Sequence, residues 1–201
     1  MADARVAKGT GAAYSGPPPG DYGLVVPDDW FRIPLEPEQW KRSIRALTDR
    51  VFDGRDDAAA LKREVVRDLR DRAEDGYRNG GVEIYVSMTS VGPVPLSASL
   101  LVTVVPPGGE LGLVVTGRHR AQVVYDVVLP FAGAALSRRT RVVPEDGDPS
   151  GTQLPVTTVE YAVGIPRTDA SLLLTFSTPL DPFAEEMVGL FEAIARSLHW
   201  R

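Results

Sequence analysis

Val156-Thr157-Thr158-Val159-Glu160-Tyr161-Ala162-Val163-Gly164-Ile165, broken by Pro166-Arg167-Thr168-Asp169 and resumed at Leu172-Leu173-Leu174-Thr175-Phe176, decides the fold of this chain. Val159, Tyr161, Val163 and Ile165 recur at alternate positions, as do Leu172, Leu174 and Phe176. A period of two puts one set of side chains on each face of a strand. The short turn between the runs predicts an antiparallel hairpin. Thr178-Pro179-Leu180-Asp181-Pro182 then reads as a helix entry, with Asp181 as the capping residue and Pro182 where a missing N–H is harmless. Beyond it the period becomes helical. Phe183, Met187, Leu190, Phe191, Ile194 and Leu198 form one stripe at spacings of three and four. Such a helix gains its stability by burying that stripe, so it is predicted to lie on the sheet that the hairpin helps to build.

Upstream, the same signals repeat. Residues 24–27 and 30–35 read as short strands around Asp28-Asp29. Pro37 opens a helix with Trp40, Ile44, Leu47 and Val51 on one stripe. A second helix, capped by Asp56 or Asp57, carries Leu61, Val65, Leu69, Ala73 and Tyr77, and Asn79-Gly80-Gly81 stops it. Its other faces hold Lys62, Arg63, Arg67, Arg70 and Asp71, which is either a charged partner-binding surface or a solvated face of mixed sign. Residues 82–88 and 96–104 alternate around Gly92-Pro93 as a hairpin, and residues 122–129 and 134–143 alternate around Pro130 and Gly133 as another. Residues 110–117 fit a short strand or a helical turn equally well. Leu100 beside Leu101, and Val127 beside Val128, are apolar on both sides of their strands. The predicted fold is therefore α+β: an antiparallel sheet of about six strands flanked by helices on both faces, an α/β/α sandwich.

Composition sets bounds on function. The chain has 201 residues, 43% hydrophobic and 24% charged, which suits one globular domain. Residues 1–22, rich in Gly, Ala and Pro, are expected to be a flexible tail, and residues 23–201 a single domain. A net charge of −5 argues against a general nucleic-acid binder. The absence of cysteine excludes disulfides and thiolate metal sites. No apolar run is long enough to span a bilayer and no secretory apolar core is present, so a cytoplasmic location is expected.

Motifs of catalysis and cofactor binding are missing: there is no P-loop, dinucleotide fingerprint, nucleophile elbow or zinc-protease helix. His119 and His199 have no companions at metal-ligand spacing, and Asp146-Gly147-Asp148 lacks the downstream glutamate of a calcium loop. No cofactor, metal or catalytic residue is expected. The most pointed cluster is Arg138, Arg139 and Arg141, with Arg139 and Arg141 on one strand face and Arg138 on the other. It reads either as charge guarding an edge strand or as a dock for an acidic protein surface or an anion.

The order of elements, from Trp30-Phe31-Arg32-Ile33-Pro34 through the helices and hairpins to Leu173-Leu174-Thr175-Phe176-Ser177-Thr178-Pro179 and the closing helix, resembles the PsbP-like α/β/α sandwich across residues 23–201. Actinobacterial-type members are the most similar. Members of that superfamily are mostly non-enzymatic: photosystem extrinsic subunits, a Ran-binding nuclear import factor, mycobacterial lipoproteins. The chain departs from the lipoproteins in having no lipobox cysteine, and no site residue carries over. The resemblance implies a non-enzymatic interaction or accessory module with a protein partner. The alternative is a small-molecule-binding domain that uses a cleft between sheet and helices.

Overall fold

A computed structural model describes residues 19–54, 59–88, 90–91, 94–95, 97–109, 124–143 and 154–201. In chain order these form β1 (Tyr22–Gly23), β2 (Trp30–Pro34), α1 (Pro37–Val51), α2 (Ala59–Arg78), β3 (Gly81–Ser87), β4 (Ser90–Val91), β5 (Val94–Pro95), β6 (Ser99–Val105), β7 (Val124–Leu129), β8 (Gly133–Val142), β9 (Val156–Gly164), β10 (Ser171–Thr178), α3 (Ala184–Arg196) and β11 (His199–Trp200). A single 3₁₀ turn, Asp181–Phe183, leads into α3.

Seven strands make the main sheet, in the order β2-β3-β6-β10-β9-β8-β7, and every neighbouring pair is antiparallel. The three predicted hairpins are present as β3–β6, β7–β8 and β9–β10. The strand closing the last of them, β10, lies fourth of the seven. It joins the two halves of the sheet through its register with β6 on one side and β9 on the other, for example Phe176 opposite both Leu100 and Val159. The seventh strand is β2, expected to pair with residues 24–27, which form no strand. It pairs instead with β3, Ile33 opposite Ile84.

Helices cover both faces. Leu100, Val102, Leu172, Leu174 and Phe176 point toward α3, where they meet Met187, Phe191, Ile194 and Leu198 in one core. The Phe176 and Phe191 rings stack with centroids 5.0 Å apart, and Tyr161 meets Phe176 edge-on. On the opposite face Ile33, Leu35, Ile84 and Leu101 meet Trp40, Ile44, Leu47 and Ala73 of α1 and α2. The doubled apolar residues Leu100 and Leu101 thus serve two separate cores. Each large side chain taken fully out of water contributes about 1.5–3 kcal/mol.

Several expectations need correction. Tyr22, placed in the tail, pairs with Trp200, and the Arg201 amide donates to the Asp21 carbonyl at 2.9 Å. Residues 1–18 of that tail lie outside the described residues. So do residues 110–117, the acidic stretch 145–151, His119 and the proposed caps Asp56 and Asp57. Asp181 does not cap α3: neither the 3₁₀ turn nor α3 has a side-chain capping hydrogen bond, and the Asp181 carboxylate accepts from Arg141. Phe183, at the head of the expected stripe, is exposed. The stripe on α2 is also rotated. Its expected members recur every four residues, which drifts by about 40° per step on a 3.6-residue helix. Leu61 and Tyr77, at its two ends, are accordingly half exposed, and the line that packs is Val66, Leu69, Ala73 and Gly76. Gly80, at φ +80°, reverses the chain after α2. A Cβ on Gly81 would lie 2.6 Å from the Gly76 carbonyl oxygen, so the helix end presses directly on β3.

Candidate docking site

Three groups of charged residues stand out on this frame. The first is the arginine cluster of β8. The register places Arg139 and Arg141 on the α3 face and Arg138 on the other, as their spacing predicts. β7 flanks β8 from Gly133 to Arg138, and Arg139 and Arg141 lie beyond that shared register. Each of the three guanidiniums grips a carboxylate of its own chain. Arg139 donates to Glu185 at 2.9 and 2.6 Å, and Arg141 donates to Asp181 at 2.7 and 2.9 Å. Both pairs tie the sheet to the entry of α3, and the arginines hold the Glu185 and Asp181 carboxyls below their ordinary range. Arg138 donates from Nε and Nη2 to Glu160 Oε2, at 2.8 and 2.6 Å, and both residues are buried. Burial pushes the Glu160 carboxyl up, and Arg138 offsets part of that rise.

The second group was not foreseen from the sequence. Glu83 on β3 is 3% exposed and is held by three donors. The Tyr22 hydroxyl reaches Oε1 at 2.5 Å, the Tyr85 hydroxyl reaches the same oxygen at 3.0 Å, and Arg32 Nε donates to Oε2. Desolvation first, and the neighbouring carboxylate second, hold both phenols above the ordinary tyrosine range. A carboxylate satisfied by three donors fixes β1 against β3 and leaves its oxygens occupied. Glu83 and Tyr85 share a strand face at i and i+2, which was visible in the sequence. The partners Tyr22 and Arg32 come from separate elements and were not.

The third group lies on the helical layer. Lys41 and Arg45 of α1 and Lys62, Arg63, Arg67 and Arg70 of α2 rim a groove whose apolar lining is Val66 and Ala59, over the buried Ile44. It opens along α2 as a hollow of about 790 Å³ and continues between the helices for about 220 Å³. Two carboxylates face it, Asp49 and Asp71, and Asp49 is bound to Lys62 at 2.7 Å across the helix pair. Arg63, Arg67 and Arg70, at spacings of four and three, share one side of α2. Among the described residues, Arg67 has only Asp68 at ion-pairing distance, at 4.0 Å. Arg45, Arg63 and Arg70 have no carboxylate at ion-pairing distance among the described residues. The i,i+4 pairing expected for a solvated helix does occur on α2, but at its far end, between Glu74 and Arg78.

His199 lies in β11, its Nδ1 3.0 Å from the Ser197 carbonyl and its Nε2 accepting from Arg201 at 3.2 Å. Among the described residues no group of three or more metal-ligating side chains converges, and no helix is long and apolar enough to cross a membrane.

Comparison with known proteins assigns no family. No family model matches the chain, and no curated protein matches it. Among solved structures, the crystal structure of LpqN, involved in cell envelope biogenesis of Mycobacterium tuberculosis, is similar at 13% identity. The alignment covers 92% of this chain and 86% of that one, with a TM-score of 0.47. A likeness of that size assigns neither family nor function.

Proposed function

We propose that this chain is a non-enzymatic accessory module that binds a protein partner, and that it does so through the α1–α2 layer. One observation carries the reading. The protein is acidic overall, yet among the described residues Arg45, Arg63 and Arg70 have no carboxylate at ion-pairing distance around one groove, while Arg138, Arg139 and Arg141 are each matched with a carboxylate. Unmatched guanidiniums over an apolar floor suit recognition of a complementary surface. The resemblance in element order to the PsbP-like sandwich, whose members are mostly non-enzymatic, points the same way. Small-molecule pockets enclose their ligand in mostly apolar walls. This groove is open and rimmed by long charged side chains, which favours a macromolecular partner.

Affinity capture from native lysate tests the reading when two charge-reversed proteins are run beside the wild type. Arg63→Glu with Arg70→Glu changes exposed residues, so stability is expected to stay within about 0.5 kcal/mol per site. The expected result is a specific partner captured by the wild type and lost with this variant. Arg139→Glu with Arg141→Glu is expected to retain it. Capture that survives reversal of the groove but is lost on reversal of Arg139 and Arg141 would move the docking face to β8.

A further inference from the structure

We infer that the occupant of the α1–α2 groove is a short acidic protein segment carrying an apolar anchor. This rests on the docking reading above and specifies the chemistry of the partner. Of the six rim cations, Lys41 is paired with Glu38, Lys62 with Asp49, and Arg67 stands 4.0 Å from Asp68, which leaves Arg45, Arg63 and Arg70 without a carboxylate at ion-pairing distance among the described residues. Asp49 is already neutralised by Lys62. Charge complementarity therefore calls for carboxylates on the occupant. Arginine presents a planar fork that matches a carboxylate in two parallel hydrogen bonds.

The floor adds a second requirement. Val66 and Ala59, together with the aliphatic stems of the surrounding Lys and Arg side chains, present apolar surface inside the charged rim, above the buried Ile44. A purely ionic ligand would leave that surface wet. An apolar residue between two carboxylates would cover it. The dimensions fit a short segment: Arg63 and Arg70 are seven residues apart, about 10 Å along a helix axis.

The net charge of −5 separates this occupant from a nucleic acid. A long polyphosphate would run past the groove and meet the acidic remainder of the molecule. A short peptide confines its carboxylates to the basic strip. Asp71, at one end of that strip, disfavours a carboxylate there and so gives the segment a preferred direction.

Fluorescence anisotropy on the full chain tests the inference with four labelled probes. These are a peptide of acidic residues interspersed with leucine, the same peptide with serine for leucine, polyglutamate, and a single-stranded oligonucleotide. The leucine-bearing peptide is expected to bind about tenfold or more tightly than its serine counterpart. Arg63→Glu with Arg70→Glu is expected to weaken it by about tenfold or more, and Arg139→Glu with Arg141→Glu to leave it unchanged. Equal binding of the leucine and serine peptides, or tightest binding of the oligonucleotide, would overturn the inference. Partner capture through the groove could still stand in that case, so the two readings fail separately. Leucine-peptide binding that ignores the groove reversal would overturn both.

Discussion

Aspartate in place of Phe191 is expected to unfold the protein. Phe191 is fully buried, and its ring stacks on Phe176 of the central strand β10. Met187, Ile194 and Leu198 surround it in the core between α3 and the sheet. Truncating a buried phenylalanine to alanine costs about 3–5 kcal/mol. Aspartate adds a buried charge with no partner, a further cost of several kcal/mol. Domains of this size are stable by only about 5–15 kcal/mol, so the two losses together approach or exceed the whole. Phe191→Leu, which keeps most of the volume, should cost less than about 1.5 kcal/mol and serves as the graded control. Near-ultraviolet circular dichroism and urea unfolding measure both variants. A folded Phe191→Asp protein with the wild-type midpoint would show that α3 does not close over the sheet.

The second large effect is expected at the buried pair Arg138–Glu160. Arg138→Met removes a cation whose Nε and Nη2 both bond Glu160, and it strands a carboxylate that is 7% exposed. Breaking one side of such a pair costs about 3–5 kcal/mol. Replacing both sides, Arg138→Met with Glu160→Leu, should recover most of that loss, because the desolvation of both charges disappears with them. The penalty should also depend on pH. Burial holds the folded carboxyl of Glu160 above its ordinary value, and Arg138 opposes that rise. Without Arg138 the folded pKa climbs further from the unfolded one. A group raised in this way is most favourable to folding below its unfolded pKa, near 4.5, and loses that contribution as pH rises through the folded pKa. The Arg138→Met deficit should therefore be largest at neutral pH and shrink as pH falls toward the unfolded value. A deficit that grows on acidification would contradict the assignment.

Much of this architecture was legible because local pattern and global fold agree. Alternation in residues 156–165 and 172–176 gave β9 and β10, and the stripe of Met187, Phe191, Ile194 and Leu198 gave α3. The pair Leu100 and Leu101 foretold two cores, one on each side of β6. What escaped depends on partners far apart in the chain. Nothing near β10 announces that β6 is its other neighbour, or that Tyr22 pairs with Trp200. The hairpin of β7 with β8 was legible, but not that, among the described residues, their shared register ends at Arg138, opposite Val124, short of Arg139 and Arg141. The three arginines were legible as a cluster, but their carboxylates, Glu160, Asp181 and Glu185, lie 22, 40 and 46 residues away. The groove cations were visible on α2, and the contribution of Lys41 and Arg45 required knowing that α1 packs beside it.

Hydrogen exchange of the full chain with and without the leucine-bearing acidic peptide tests the docking face most directly. The expected result is slowed exchange across residues 41–49 of α1 and 59–71 of α2, with β8 and the start of α3 unchanged. Slowing confined to β8 and the Asp181–Phe183 turn, with the two helices unaffected, would contradict it.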